Sequence, residues 1–149
     1  MSDSDERELP EETYNLITEL SERGNIMLEA GDEEGAIASW KQALSELPTP
    51  QKIWQATLWL HASLGEAYRT KGKLDLALSH FESAYSSADG HINPFVLINL
   101  GATLYDLGNK EEANDYLSRA YLLEGDELFE DFGGPYLEYL KAQGLAKLA

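Results

Sequence analysis

The sequence predicts an all-α fold, and the main reason is one pattern of small and large residues that occurs three times. The residues that form the pattern are Gly24, Gly31, Ala36, Trp40, Ala43 and Pro48 in the first copy, Gly65, Tyr68, Gly72, Ala77, Phe81 and Ala84 in the second, and Gly101, Gly108, Ala113, Leu117 and Ala120 in the third. A second observation is the glycine at 31, 72 and 108, where each copy closes a helix in the left-handed conformation that glycine adopts at low cost. Three copies in register predict a repeat architecture rather than a single irregular domain.

The spacing of the pattern has a physical reason. Two helices that cross closely need small side chains at the crossing, so Gly24, Gly65 and Gly101 are expected to meet Ala36, Ala77 and Ala113. The larger residues Trp40, Phe81 and Leu117 lie one turn further along the same face and are expected to fill the space beside these contacts. All of these residues are therefore predicted to be core.

This register resembles the tetratricopeptide repeat (TPR), and the resemblance implies paired antiparallel helices, A and B, stacked in a right-handed α-solenoid of three repeats. It predicts an acidic flexible arm at 1–9, repeats at 10–48, 49–89 and 90–125, and a linker with a capping helix at 126–149. Folds of this kind display a groove for another protein and seldom carry chemistry. The A helices are expected to be extended, since a helical pattern starts at Leu9 and Pro10, and Gln51 to Thr70 is predicted as one long helix.

Local signals place two further helix starts. Asn93 is expected to cap a helix that begins at Pro94, because an Asn side chain satisfies free N–H groups and proline suits the first turn. Pro135 likewise suits the start of a capping helix, whose apolar stripe is formed by Leu137, Leu140, Leu145 and Leu148. Phe129 and Phe132 are expected to pack beneath that helix.

The chain of 149 residues has a net charge of −16 and no cysteine. Such a charge repels nucleic acid and anionic lipid and attracts a basic protein, although acidity also serves solubility alone. The N-terminus is charged and lacks an apolar run, so neither a secretory signal nor membrane association is expected. We expect a cytoplasmic protein that is a monomer or a weak dimer.

Enzyme chemistry is not expected from this sequence. His61, His80 and His91 lack metal-ligand spacing, and Gly133-Gly134-Pro135 lacks the Lys and Ser or Thr of a phosphate-binding loop. No acid–base pair of carboxylates stands out. We therefore predict no catalytic residue, no metal and no cofactor.

The TPR resemblance implies which side chains face the groove. The predicted partner-binding residues are Asn25, Leu28, Glu29, Trp59, Glu66, Arg69, Phe95, Ile98, Tyr105 and Asp106, and the same register adds Thr18, Ser21, Ala62, Thr70 and Ala102. Trp59, Phe95, Ile98 and Tyr105 are expected to form an aromatic and apolar floor. Acidic residues are expected at its rim, with Arg69 as the lone base. The alternative is that some of these aromatics pack under the capping helix.

Three functions remain open at this point. TPR proteins that clamp the acidic tails of heat-shock chaperones hold the carboxylates with Lys, Arg and Asn. Here only Asn25 matches that pattern, and Ser21, Ser63, Phe95 and Asn99 occupy the other clamp positions, so a chaperone-tail adaptor is not expected. The stretch from Ala120 to Lys141 resembles the tail of small bacterial TPR proteins encoded beside polymorphic, Rhs-type toxins, which implies an immunity protein that occludes a toxin. The alternatives are a general adaptor or secretion chaperone for a client peptide, and a self-assembling structural repeat protein.

Overall fold

The computed structural model describes residues 9–146, and these residues form eight α-helices and two short 3-10 turns without a β-strand. The helices are α1 (Glu11–Glu29), α2 (Glu33–Ser45), α3 (Gln55–Thr70), α4 (Leu74–Tyr85), α5 (Pro94–Asp106), α6 (Lys110–Glu124), α7 (Asp126–Phe132) and α8 (Tyr136–Ala142). The predicted all-α class is confirmed. The predicted arm, except for Leu9, and the predicted stripe residue Leu148 lie outside the described residues.

Three helix pairs, α1 with α2, α3 with α4 and α5 with α6, follow one another as an α-solenoid. The A helices α1, α3 and α5 become shorter along the chain, so the predicted extension is greatest in α1. Helices α7 and α8 pack against α6 and against each other. Phe129 and Leu140 are buried there, as expected for a capping segment.

The prediction of one continuous helix from Gln51 to Thr70 is wrong. Gln51–Ile53 forms a 3-10 turn, and Trp54 is extended, with φ −92° and ψ 138°, before α3 begins at Gln55. The indole N–H of Trp54 donates to the carbonyl oxygen of Pro48 at 2.8 Å, which holds this side chain against the preceding loop. The hydroxyl of Thr57 donates to the carbonyl oxygen of Gln51, so this carbonyl has a partner at the break in the helix.

The prediction for the third A helix is confirmed. The side-chain oxygen of Asn93 accepts a hydrogen bond from the backbone N–H of Val96 at 3.1 Å, and α5 begins at Pro94. The predicted linker at the start of 126–149 is partly helical, since Asp126–Phe132 forms α7. Gly133 and Gly134, both with positive φ, then separate α7 from α8.

The side chains nearest to the A-helix glycines are the large residues of the B helices. A Cβ atom on Gly65 would lie 2.7 Å from the Phe81 ring, and one on Gly101 would lie 2.7 Å from the Leu117 side chain. Gly24 faces the Trp40 indole in the same way. The small residue on the A helix therefore makes room for the large residue on the B helix.

The turns between A and B helices are built alike in all three pairs. Gly31, Gly72 and Gly108 have φ of 85°, 78° and 93°, as predicted for helix-closing glycines. The residue after each glycine donates its backbone N–H to a carbonyl in the last turn of the A helix, at 2.8 to 2.9 Å. This is the Schellman arrangement, and it sets the same reversal of direction in each pair.

Candidate functional site

The most exposed aromatic residue among the predicted groove positions is Trp59 on α3. Half of its surface is accessible, and its ring centroid lies 6.3 Å from that of Phe95 on α5. Two A helices thus present neighbouring aromatic rings on one face of the solenoid. Such rings supply large contact area at small cost in side-chain entropy.

Two predicted floor residues are not free surface. Ile98 is fully buried in the hydrophobic core and takes part in the lining of the cavity described below. Tyr105 is partly buried, and its ring packs edge-on against Tyr136 and Tyr139 of α8, with centroids 5.3 and 5.0 Å apart. Tyr105 therefore packs under the capping helix, which is the alternative that the sequence left open.

A polar cluster joins the second repeat, the third repeat and the tail. The guanidinium of Arg69 contacts the carboxylate of Asp106 at 2.8 Å and donates to the hydroxyl of Tyr136 at 2.7 Å and to that of Thr103 at 3.2 Å. The Tyr136 hydroxyl in turn donates to the Asp106 carboxylate at 2.9 Å. Burial, and then the bond to Asp106, raise the pKa of Tyr136. Arg69 and Asp106 are therefore occupied with one another and with the tail.

A cavity of about 550 Å³ lies beside this cluster, between α3, α5 and α7. The lining residues that matter most are Glu66, Arg69, Phe95, Asn99, Asp131 and Phe132. Glu66 keeps access to solvent, yet the surrounding walls desolvate its carboxyl enough to raise its pKa. The guanidinium of Arg69 also lies over the Phe132 ring, 5.7 Å from its centroid.

The predicted positions of the first repeat lie elsewhere. Asn25, Leu28 and Glu29 are exposed on α1 and line neither this cavity nor a second, larger one of about 980 Å³. The second cavity lies between α1 and the segment that leads into α3, and its lining includes Leu9, Tyr14, Thr18, Ser21, Ile53 and Trp54. Thr18 and Ser21 were predicted to face the groove, whereas Tyr14 and Trp54 were not.

Sequence reasoning missed several groups in the first cavity. Asp131 lies in the predicted linker, Phe132 is predicted to pack beneath the capping helix, and Tyr136, which contacts the cavity residue Arg69, is not among the predicted site residues. The only signal for Asn99 was its place at a clamp position of the TPR register. These residues meet only because the tail folds back onto α3 and α5.

His61 and His80 lie together at the contact of α3 and α4, with their Nδ1 atoms 3.0 Å apart. Burial, and then the neighbouring imidazole, lower the pKa of His61 to about 4, and burial also lowers that of His80. In residues 9–146, no three His, Cys, Asp or Glu side chains gather in a way that could hold a metal ion. No helix in the same stretch combines the length and apolar character needed to cross a membrane.

Comparison with known proteins gives two findings. Residues 96–127 match the family model of the tetratricopeptide repeat, a segment that runs from α5 through α6. Among solved structures, the chain is similar to the first TPR of Spaghetti (RPAP3) bound to the HSP90 peptide SRMEEVD, with a TM-score of 0.66 and 21% identity, covering 89% of this chain and 98% of that one. No curated protein matches the chain. The fold is therefore that of a TPR solenoid.

Proposed function

We propose that this chain is a non-catalytic protein-interaction module, whose partner binds the face formed by the A helices α1, α3 and α5. The observation that carries the proposal is the half-exposed Trp59 beside Phe95, next to a cavity that Phe95 also lines. Exposed aromatic residues next to concave surface are the groups that contribute most to binding energy at protein interfaces. In this proposal the four units 10–48, 49–89, 90–125 and 126–149 act together as one binding domain.

The usable part of the groove is narrower than the TPR register implies. Tyr105 is covered by α8 and Asp106 is engaged with Arg69, so a partner would contact Trp59, Phe95 and Glu66 first. The exposed positions Asn25, Leu28 and Glu29 would extend this contact along α1.

The charge of the groove supports a basic partner rather than an acidic tail. The peptide of the Spaghetti structure, SRMEEVD, carries three acidic residues. Here the five clamp positions, Ser21, Asn25, Ser63, Phe95 and Asn99, include no Lys or Arg, and Glu66 and Asp131 line the adjoining cavity. An acidic peptide in this place would bring like charges together, which costs binding free energy.

A general adaptor for peptides is the form of this function that the geometry supports best. A cavity of about 550 Å³ has the size of a site for a side chain or a short segment, which a client peptide would supply. The immunity role remains the narrower version, supported by the acidic charge and by the resemblance of the tail. It would require one folded toxin domain to bind with high affinity and to lose its activity in the complex.

Selection from a phage-displayed library of random dodecapeptides tests the proposal. Peptides enriched on the wild-type protein should bind the purified protein in solution and lose about tenfold in affinity for Trp59→Ala. Leu76→Ala is the matched control, because Leu76 is similarly exposed on α4 and lines neither cavity. If the selected peptides bind Trp59→Ala as tightly as the wild type, or if Leu76→Ala loses as much affinity as Trp59→Ala, the groove is not the binding site.

Sedimentation velocity separates the remaining alternative. A self-assembling repeat protein would form larger species as the protein concentration rises, with Trp59→Ala showing the same behaviour. A protein that stays at one mass while binding selected peptides is an adaptor and not an assembly unit.

A further inference from the structure

The cavity between α3, α5 and α7 has an unbalanced charge. Arg69 is the only cation of its lining, and its guanidinium is paired with Asp106 and bonded to Tyr136. Glu66 and Asp131 also line the cavity, and neither forms an ion pair with any residue in the described stretch 9–146. The lining therefore offers two carboxylates beyond the one that Arg69 neutralises.

A second observation concerns Asn99, which is only 2% exposed and lines the same cavity. Its side-chain N–H group donates to the carbonyl oxygen of Phe95 at 2.9 Å, which fixes the orientation of the amide. No donor within residues 9–146 reaches its side-chain oxygen, whereas every fully enclosed side-chain polar atom there has a partner. The side-chain oxygen of Asn99 is therefore an accessible acceptor on a residue that lines the cavity.

Aromatic surface completes the lining. Phe95 stands on the α5 side and Phe132 on the α7 side, so apolar rings border the acceptors. This combination suits a side chain with an apolar stem and a positively charged, donor-rich end. Neither an anion nor a purely apolar group would satisfy Glu66, Asp131 and Asn99 together.

We propose that this cavity is a specificity pocket for a lysine or arginine side chain of the partner. The charged end lies among the Glu66 and Asp131 carboxylates and donates to the side-chain oxygen of Asn99. The stem lies between Phe95 and Phe132. This inference rests on the proposed interaction function and names the chemistry that the groove selects.

The test uses the full chain and a small probe, so that it does not depend on an identified partner. The ¹⁵N-labelled protein is titrated with n-butylguanidinium, and its amide resonances are followed. The cation should give saturable shifts at Asn99, Asp131 and Phe132, with a dissociation constant in the millimolar range. The neutral isostere n-butylurea should bind at least about tenfold more weakly, because its interaction with the carboxylates is not charge-assisted. n-Butylammonium, compared with n-butylguanidinium, distinguishes a lysine from an arginine preference.

Three variants make the test specific. Glu66→Gln and Asp131→Asn should each weaken n-butylguanidinium binding by about tenfold while preserving shape. Glu130→Gln makes the same change in net charge on the same helix as Asp131, but Glu130 does not line the cavity. The affinity of this variant for n-butylguanidinium should therefore equal that of the wild type. Circular dichroism verifies that each variant is folded.

The outcomes separate this proposal from the broader one. Equal binding of n-butylurea, an equal loss for Glu130→Gln, or stronger binding of valerate than of the cation would overturn the pocket assignment. Peptides selected on the protein would then still test the groove through Trp59→Ala. If the selected peptides bind independently of Trp59 while n-butylguanidinium binds as expected, the assignment of peptide binding to the Trp59 face fails and the pocket chemistry does not.

Discussion

Nδ1 of His61 lies 3.0 Å from Nδ1 of His80, so one neutral imidazole donates a hydrogen bond to the other. The His80 ring also stacks on Tyr68, with ring centroids 5.4 Å apart and planes at 11°. A proton added to the accepting ring would leave two donors facing each other. The contact between α3 and α4 is therefore built for the uncharged form of both histidines.

The first prediction concerns stability against acid. The pKa of His61 falls from its usual 6.5 to about 4 in the folded protein, so below pH 6.5 the unfolded state binds more protons than the folded one. We expect the contribution of neutral His61 to the free energy of unfolding to be complete above pH 6.5. This contribution should be lost as the pH falls from 6.5 towards 4. Urea unfolding at pH 7.5, 6.5 and 5.5 measures this decrease.

His61→Gln should reduce the loss of stability between pH 7.5 and 5.5. His91→Gln is the control, because His91 is exposed and lies outside the pair. A pH profile that is the same in His61→Gln and in the wild type would contradict the assignment.

The second prediction concerns the close contact of Gly65 with Phe81. Alanine at 65 favours the helix by about 1 kcal/mol, but its Cβ would lie 2.7 Å from the fully buried Phe81 ring. Overpacking of this kind costs about 1–3 kcal/mol, so we expect Gly65→Ala to lower the free energy of unfolding. Urea unfolding with Phe81→Leu and the double variant checks the cause, since the double variant should lose less than the sum. A higher free energy of unfolding for Gly65→Ala than for the wild type would mean that the Phe81 ring moves aside for the added methyl group at no cost.

The third prediction concerns the hydroxyl of Tyr136. Tyr136→Phe removes hydrogen bonds to Arg69 and Asp106, two charged groups, so we expect a loss of about 1.5–3 kcal/mol in the free energy of unfolding. Tyr139→Phe is the matched control on the same helix, because its hydroxyl bonds the neutral amide of Asn114 at 2.6 Å. Its loss should be about 0.5–1.5 kcal/mol. Thermal unfolding of both variants measures the difference, and equal losses would contradict it.

The fourth prediction concerns the rate at which partners associate with the protein. With a net charge of −16, the protein should attract basic peptides over a distance that salt screens. We expect association of a selected peptide to slow several-fold between about 0.05 M and 0.5 M salt, as followed by stopped-flow fluorescence. An unchanged association rate would mean that the charge does not act on binding.

The sequence was most informative where the structure follows local rules. The closing glycines, exemplified by Gly72, need positive φ, and Asn93 caps the helix that begins at Pro94. Both features depend on residues within a few positions of one another, so spacing alone predicts them. The same spacing predicts the A-helix glycines as core, and Gly24, Gly65 and Gly101 each lie against a large side chain of the B helix.

The predictions fail where contacts between distant residues, or contacts of non-helical segments, determine the structure. Trp54 is extended ahead of α3 and donates to the carbonyl oxygen of Pro48, a contact that helical periodicity does not encode. The register of the third repeat predicts Tyr105 on the groove surface, but its ring is partly buried against Tyr136 and Tyr139 of α8. Nothing in the tail sequence specifies the side on which Tyr136 packs.

The cluster of Arg69, Asp106 and Tyr136 has a consequence for local unfolding of the protein. In a solenoid most contacts join neighbouring units, so each unit can separate on its own. This cluster links α3, α5 and α8 directly, and it therefore couples the second and third repeats and the tail into one cooperative unit. The pair α1 and α2 lies outside that coupling, so it should exchange its amide hydrogens through smaller, separate openings while the rest of the chain stays closed.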